Sequence, residues 1–202
     1  MVKGIGAPCN RGWYGYKKTK GAYCTYRGWG PTLITRSICV FPKFVNMNRI
    51  EKWREKYDTL FGKINPHVTL VFPFKSELDK ESLETHVRDI LDGVNPFIIE
   101  LNGVSRTDDN LLYLTVGKGV EELVEIHDRL YSRVLQPFLR KDLPYNPHVT
   151  IGRLDSKQAL EEAYRDVRSE FESTQTLVRE LAVEIIEEDE TSNIEFIINI
   201  GL

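Results

Sequence analysis

The chain is poor in cysteine: three residues, at positions 9, 24 and 39, odd in number and without a Cys-x-x-Cys pair. That arithmetic speaks against a disulfide framework and a cysteine-based zinc site, and the thiols read as reduced. No stretch approaches the roughly 18 consecutive apolar residues that cross a bilayer, and no short apolar run of the secretory-signal kind opens the chain. The expected location is cytoplasmic, with no membrane partner. A Gly-x-x-x-x-Gly-Lys-Ser/Thr loop is also missing, so neither a Walker-type site nor use of ATP is expected.

What is present is the composition of a globular protein with a real core: 41% hydrophobic and 28% charged residues in a chain of 202. The net charge of -3 conceals an asymmetry. Lys3, Arg11, Lys17, Lys18, Lys20 and Arg27 stand in the first 30 residues without any acid, a balance of +6 that leaves -9 for the remainder. Half of the 14 glycines lie there too, with Trp13, Tyr14, Tyr16, Tyr23, Tyr26 and Trp29, but Val2 and Ile5 are the only branched aliphatics. Residues 1–31 therefore lack the material for a core of their own. They read as a basic arm whose cations meet phosphates and whose rings stack on bases. They read equally as an appendage on the body, or as extra sequence ahead of the domain. The acidic body argues against duplex binding over its whole surface and for a small ligand or a strand end.

From residue 32 the hydrophobic pattern becomes regular, and residues 32–202 read as one domain. An apolar run over 33–41, closed by Pro42, predicts a strand. Ile50, Trp53, Tyr57, Leu60 and Phe61 recur at helical spacing, with Gly62 just beyond, which predicts a helix over 49–61. A strand over 66–74, a helix over 80–93 and a strand over 96–104 complete one cycle. After a turn at Asp108, Asp109 and Asn110 the cycle restarts, with a strand at 111–116 and a helical stripe from Val120 to Val134. A strand at 147–154, a helix opened by Ser156, and strands at 176–186 and 194–200 follow. The order is β-α-β-α-β, twice, plus one strand. It predicts an α+β fold with mixed or antiparallel sheets and two pseudo-symmetric lobes, about 32–107 and 111–202, around a central groove.

The halves also match in letters. INPHVTL at 64–70 and YNPHVTI at 145–151 share five consecutive identities at an offset of 81 residues. Chance alone would give such a match about one time in a hundred, so the two segments are a repeat. In a strand, His67 and Thr69 project to one side and Val68 and Leu70 to the other; His148 and Thr150 behave likewise. A single His-x-Thr is common in strands as a satisfied, half-buried histidine. The same polar pair at equivalent places in both halves is not something packing demands. Two imidazoles titrating near 6.5 suit phosphodiester chemistry, one as base and the other, protonated, as acid. The hydroxyls suit the non-bridging phosphate oxygens. Two histidines without a fixed carboxylate are too few for a usual catalytic zinc site, so no metal or other cofactor is expected.

The duplicated PHVTL at 66–70 and PHVTI at 147–151, on a repeat covering 32 to about 200, resembles the two-histidine phosphoesterase superfamily, whose signature is two H-x-[TS]-φ motifs. The resemblance implies a bilobal α+β fold with both motifs in a central cleft and His67, Thr69, His148 and Thr150 as catalytic residues. It implies metal-free hydrolysis of 2',3'-cyclic phosphate RNA ends, of small cyclic nucleotides, or of 2'-5' linked or cyclic oligonucleotide signals. A binding module that grips nucleotide without cleaving it is the contrasting reading. Further substrate contacts are expected from Arg153, which follows the second motif but by strand parity points away from His148, and from Tyr145 and Phe74 as base-stacking rings. Lys43 is a candidate phosphate contact, and His86 and His127 read as structural. The chain is expected to act as a monomer on an RNA end or a small nucleotide.

Overall fold

The computed structural model describes residues 33–201; the expected basic arm at 1–31, with Cys9 and Cys24, lies outside them. Among the described residues the order is β1 (Ile34–Val40), α1 (Met47–Tyr57), β2 (Val68–Ser76), α2 (Lys80–Leu91), β3 (Phe97–Arg106), β4 (Leu111–Val116) and α3 (Val120–Leu130). A 3-10 helix (Arg133–Phe138), β5 (His148–Arg153), α4 (Lys157–Glu170), β6 (Thr174–Val178), β7 (Glu180–Ile186) and β8 (Ser192–Asn199) complete it. The strands make two four-stranded sheets, β2-β1-β7-β8 and β5-β4-β3-β6. Every pairing is antiparallel, so of the two arrangements left open by the sequence the mixed one is not realised. Among the described residues no helix is long and apolar enough to cross a membrane.

Each sheet is apolar on the face that packs against helices and polar on the other, as half-covered antiparallel sheets are. In the first sheet Ile38, Val40, Val68, Val71 and Val183 are buried on the face shared with α2 and α3; in the second, Ile99, Leu101, Leu112, Leu114 and Val149 are buried beside α1 and α4. Each such side chain stabilises the fold by about 1.5–3 kcal/mol relative to exposure. The helices cross-brace the sheets: α1, which follows β1 in the first sheet, packs on β5 of the second, and α3, which follows β4, packs on β2.

Four expectations are corrected. The first helix ends at Tyr57, not 61, because the extended Asp58 turns its carboxylate back to accept the Leu60 N–H at 3.1 Å, an Asx turn that competes with helix continuation. The helix from Val120 stops at Leu130, leaving Val134 in the 3-10 helix, where the Ser132 hydroxyl donates to the Arg129 carbonyl at 2.7 Å. The apolar run 176–186 is two strands: the chain leaves the second sheet at Val178 and enters the first at Glu180. Finally, the boundary at 107–111 does not divide the sheets. It is a hairpin turn inside the second one, with Asn110 at φ 65°, while β7 and β8 return to the first.

Candidate active site

The motif strands β2 and β5 are edge strands of different sheets, and they approach within 8 Å at Cα. The two copies of the repeat therefore meet at the seam. His67 stands one residue ahead of β2 and His148 opens β5; along both segments the motif histidine and threonine are half-buried while Val68, Leu70, Val149 and Ile151 are buried. The alternation expected from the letters holds because the valine and the residue after the threonine are drawn into the core beneath.

Both imidazoles are held alike. His67 Nδ1 lies 2.9 Å from the Asn65 carbonyl and His148 Nδ1 lies 2.7 Å from the Asn146 carbonyl. A carbonyl can only accept, so Nδ1 carries the proton and Nε2 is left with the lone pair in the neutral ring. The asparagines and the buried prolines after them belong to the five-letter identity, which thus encodes the tautomer as well as the ring. Phe41 lies against His67 at 5.8 Å between ring centroids and Tyr113 against His148 at 4.7 Å. Burial holds both imidazoles below the ordinary histidine value, and the two backbone carbonyls act in the opposite direction. Glu184 favours protonated His67, whereas Arg54 and Arg153 disfavour it; Arg153 acts likewise on His148.

The surroundings of the two pairs differ. Thr150 faces Tyr113 across β4, whereas Thr69 faces Cys39 across β1. Next along the first sheet lies Glu184, 1% exposed, its carboxylate accepting from the Ser37 and Ser192 hydroxyls and 3.7 Å from Cys39 Sγ. Burial, and then this carboxylate, push the Cys39 thiol well up, so it stays protonated.

Arg153 overturns its strand-parity expectation. Thr150 pairs with Tyr113 but Gly152 with Leu112 and Arg153 with Leu111, so a bulge at Ile151 shifts the alternation. Ile151 and Gly152 are both buried, and Arg153 returns to the face of His148 and Thr150. Gly152 fits closely there: a Cβ would stand 3.1 Å from Tyr57 Cβ of α1 and 3.2 Å from Leu112 Cβ, so a larger residue would have to push α1 or β4 aside by a few tenths of an ångström. The Arg153 guanidinium ion-pairs with Asp58.

The other candidates have different surroundings. Tyr145 does reach the seam, but its hydroxyl donates to the Thr69 carbonyl at 2.9 Å and its ring stacks on His127 at 3.7 Å. With His127 Nδ1 donating to the Leu70 carbonyl at 2.7 Å and the Tyr131 hydroxyl accepting from Phe72 N at 2.9 Å, it closes the free edge of β2. Phe74 is buried on the helix face against Phe138, 4.9 Å away, and lines no groove, because a second bulge in β2 turns it toward Arg36. Lys43 is exposed and pairs with Glu180 at 3.3 Å. His86 is buried with Nε2 donating to the Leu130 carbonyl at 2.9 Å. Two surface hollows, of about 400 and 440 Å³, involve Arg133 with α2 and Tyr57 with α4, and neither includes a motif residue. The chemistry, not the hollow, locates the site.

Sequence reasoning missed Asp58, Arg54 and Glu184. All three look like surface charges in the sequence; only burial singles them out. The asparagines were legible in the repeat, since nothing about a strand requires Asn-Pro before it twice.

Comparison with known proteins finds similarity in family, in sequence and in fold. A family model described as the 2'-5' RNA ligase superfamily matches residues 42–190. A Bacillus licheniformis protein classed as a phosphoesterase is 28% identical over 119 residues, covering 57% of this chain and 69% of that protein. A phosphoesterase-class protein of Halalkalibacterium halodurans is 31% identical over 120 residues, 57% of this chain and 68% of its own. The structure of E. coli LigT complexed with 3'-AMP superposes with a TM-score of 0.58 at 12% identity, over 85% of this chain and 100% of LigT. At that identity the likeness is one of fold.

Proposed function

This chain belongs to the 2'-5' RNA ligase superfamily of two-histidine phosphoesterases, and from that premise we propose that it is a metal-independent phosphodiesterase hydrolysing 2',3'-cyclic phosphate ends of RNA or small cyclic nucleotides. The observation that carries this reading is the pair of imidazoles held by the same Nδ1–H to carbonyl bond at the seam, each two residues from a threonine. With Nε2 of one ring neutral and Nε2 of the other protonated, the first takes a proton from water as its oxygen attacks phosphorus. The second gives its proton to the ribose oxygen as the P–O bond breaks. The product is a 2'- or 3'-phosphate, and the two rings have exchanged protonation states. Thr69 and Thr150 donate to the non-bridging oxygens, where charge develops, and Arg153 contributes a guanidinium on the same face. Among the described residues no three His, Cys, Asp or Glu side chains are arranged to hold a metal ion, while a catalytic zinc normally takes about three protein ligands. The protein acts as a monomer in this reading.

The test is an end-group assay on a short RNA ending in a 2',3'-cyclic phosphate, in the presence of EDTA. Conversion to a monophosphate end is expected. Binding without product would replace the reading with that of a nucleotide-binding module, and turnover lost to the chelator would overturn metal independence.

The pH dependence has a definite sign. Burial places both imidazoles below the ordinary value of 6.5 in the free protein. Below the lower of the two, both are charged and no base remains; above the higher, both are neutral and no acid remains. The bell of kcat/KM is therefore expected to have both limbs on the acid side of about 6.5. A bound phosphate anion favours imidazolium, so the alkaline limb of kcat is expected at higher pH than that of kcat/KM. A kcat/KM that keeps rising through neutrality would contradict this arrangement.

A further inference from the structure

Resting on the phosphodiesterase reading above, we infer that Asp58 is a positioning residue for the reaction: a single buried carboxylate at the end of α1 that aims Arg153 at the substrate phosphate and, through Arg54, braces the loop carrying His67. The Asp58 side chain is 1% exposed. Its Oδ1 accepts from Arg153 Nη1 and from Leu60 N, and its Oδ2 from Arg54 Nε at 3.1 Å. Arg54, 2% exposed, sends Nη2 to the carbonyls of Ile64 at 2.7 Å and Leu60 at 3.4 Å, and Nη1 to Glu51 at 3.2 Å. Ile64 immediately precedes Asn65, whose carbonyl holds His67. One carboxylate is thus connected to the first motif through its loop and to the second through the residue that the β5 bulge turns toward the seam.

A purely structural ion network would engage both guanidinium groups fully, and this one engages only that of Arg54. Arg54 shares Asp58 but has Glu51 to itself in addition to two carbonyls, whereas Arg153 has only its share of Asp58 and keeps 31% of its side chain exposed. Among the described residues its Nε and Nη2 have no hydrogen-bond partner, which leaves one side of a planar fork for an anion. The opposite half of the molecule shows that bracing alone does not need charge. There His127 on α3, Tyr131 just past its end and Tyr145 ahead of β5 hold the edge of β2, all uncharged in this environment, and the position equivalent to Arg153 is Phe72. The charged brace stands on one side of a pseudo-symmetric pair, where it confers direction on the site: a phosphate at the seam is drawn toward β5.

The test is a double-mutant cycle with Asp58→Asn, Arg153→Gln and the combination, read as KM and kcat on the cyclic-phosphate RNA and as Kd for adenosine 3'-monophosphate by calorimetry. Each single change is expected to raise KM and Kd by roughly 10-fold with kcat much less affected, and the double variant to be no worse than Arg153→Gln alone. Multiplying effects, or a fall in kcat at unchanged KM and Kd, would overturn the assignment, because that is what a smaller folded fraction produces. Arg153→Lys leaves the buried Arg54–Asp58 pair intact and serves if Asp58→Asn fails to fold. An ammonium drawn to Asp58 presents no second pair of N–H groups, so a rise similar to that of Arg153→Gln is expected, and wild-type KM and Kd would refute the role. If the RNA is not turned over at all but the monophosphate binds more weakly to both single variants, the phosphodiesterase reading fails and the positioning role stands.

Discussion

Replacing either His67 or His148 by Ala is expected to lower kcat by about 100- to 10,000-fold, the range for loss of a general acid or base. Both rings have the same contacts: a backbone carbonyl two residues back and one neighbouring aromatic ring, Phe41 or Tyr113. Neither sits in the continuous hydrophobic cluster under the sheets, so thermal melting should change little. The double variant should be hardly worse than the more damaged single one, because base and acid act in one concerted proton exchange and either is idle without the other. Single-turnover rates on a cyclic-phosphate RNA, with melting curves as control, check both statements. A single variant that keeps more than a tenth of wild-type activity would remove the paired-histidine mechanism.

Changing Thr69 or Thr150 to Val keeps the branched shape and removes one hydroxyl; kcat is expected to fall by roughly 100- to 1,000-fold per threonine, as when one donor to a developing oxyanion is lost. The loss should fall on kcat more than on KM, since the non-bridging oxygens carry more charge in the transition state than in the bound ester. Ser at either position should restore most of the rate. The two sites are not expected to respond equally. Thr150 faces only Tyr113 across the strand pair, whereas Thr69 faces Cys39 and, beyond it, the buried Glu184 carboxylate, so Val at 69 also disturbs a chain of polar side chains. Steady-state kinetics on the four single variants measures this; a loss confined to KM would make the hydroxyls ground-state contacts instead.

The reach of the sequence is clearest at the repeat. NPHVT written twice determined the strand alternation and the presence of one imidazole and one hydroxyl per half; its asparagines and prolines also carried the anchoring of Nδ1, because all of these depend on residues within three positions of one another. The start of α4 was legible for the same reason: Ser156, which opens that helix in the sequence, accepts the Ala159 N–H at 3.2 Å. Tyr145 and Phe74 show where local reading ends. An aromatic residue near a motif has the same letter whether it lines the seam, closes a strand edge or enters the core, and the choice is made by α3 and by a bulge in β2.

The sequence by itself determined most of the elements, though not all of their ends, together with the duplication and the imidazole and hydroxyl of each motif, since period, caps and motif are short-range properties of a chain. Tertiary structure alone decided that β3 and β7 each lie in the sheet begun by the other half, that β2 and β5 meet edge to edge, and that Arg153 turns toward the histidines. It also singled out Asp58, Arg54 and Glu184 from the many charges of the body. The physical reason is the same in each case: strand pairing, bulge position and the burial of a charge depend on partners far along the chain, such as Glu184, 147 residues from Ser37, or Arg153, 95 residues from Asp58, and no window of neighbouring letters contains both partners.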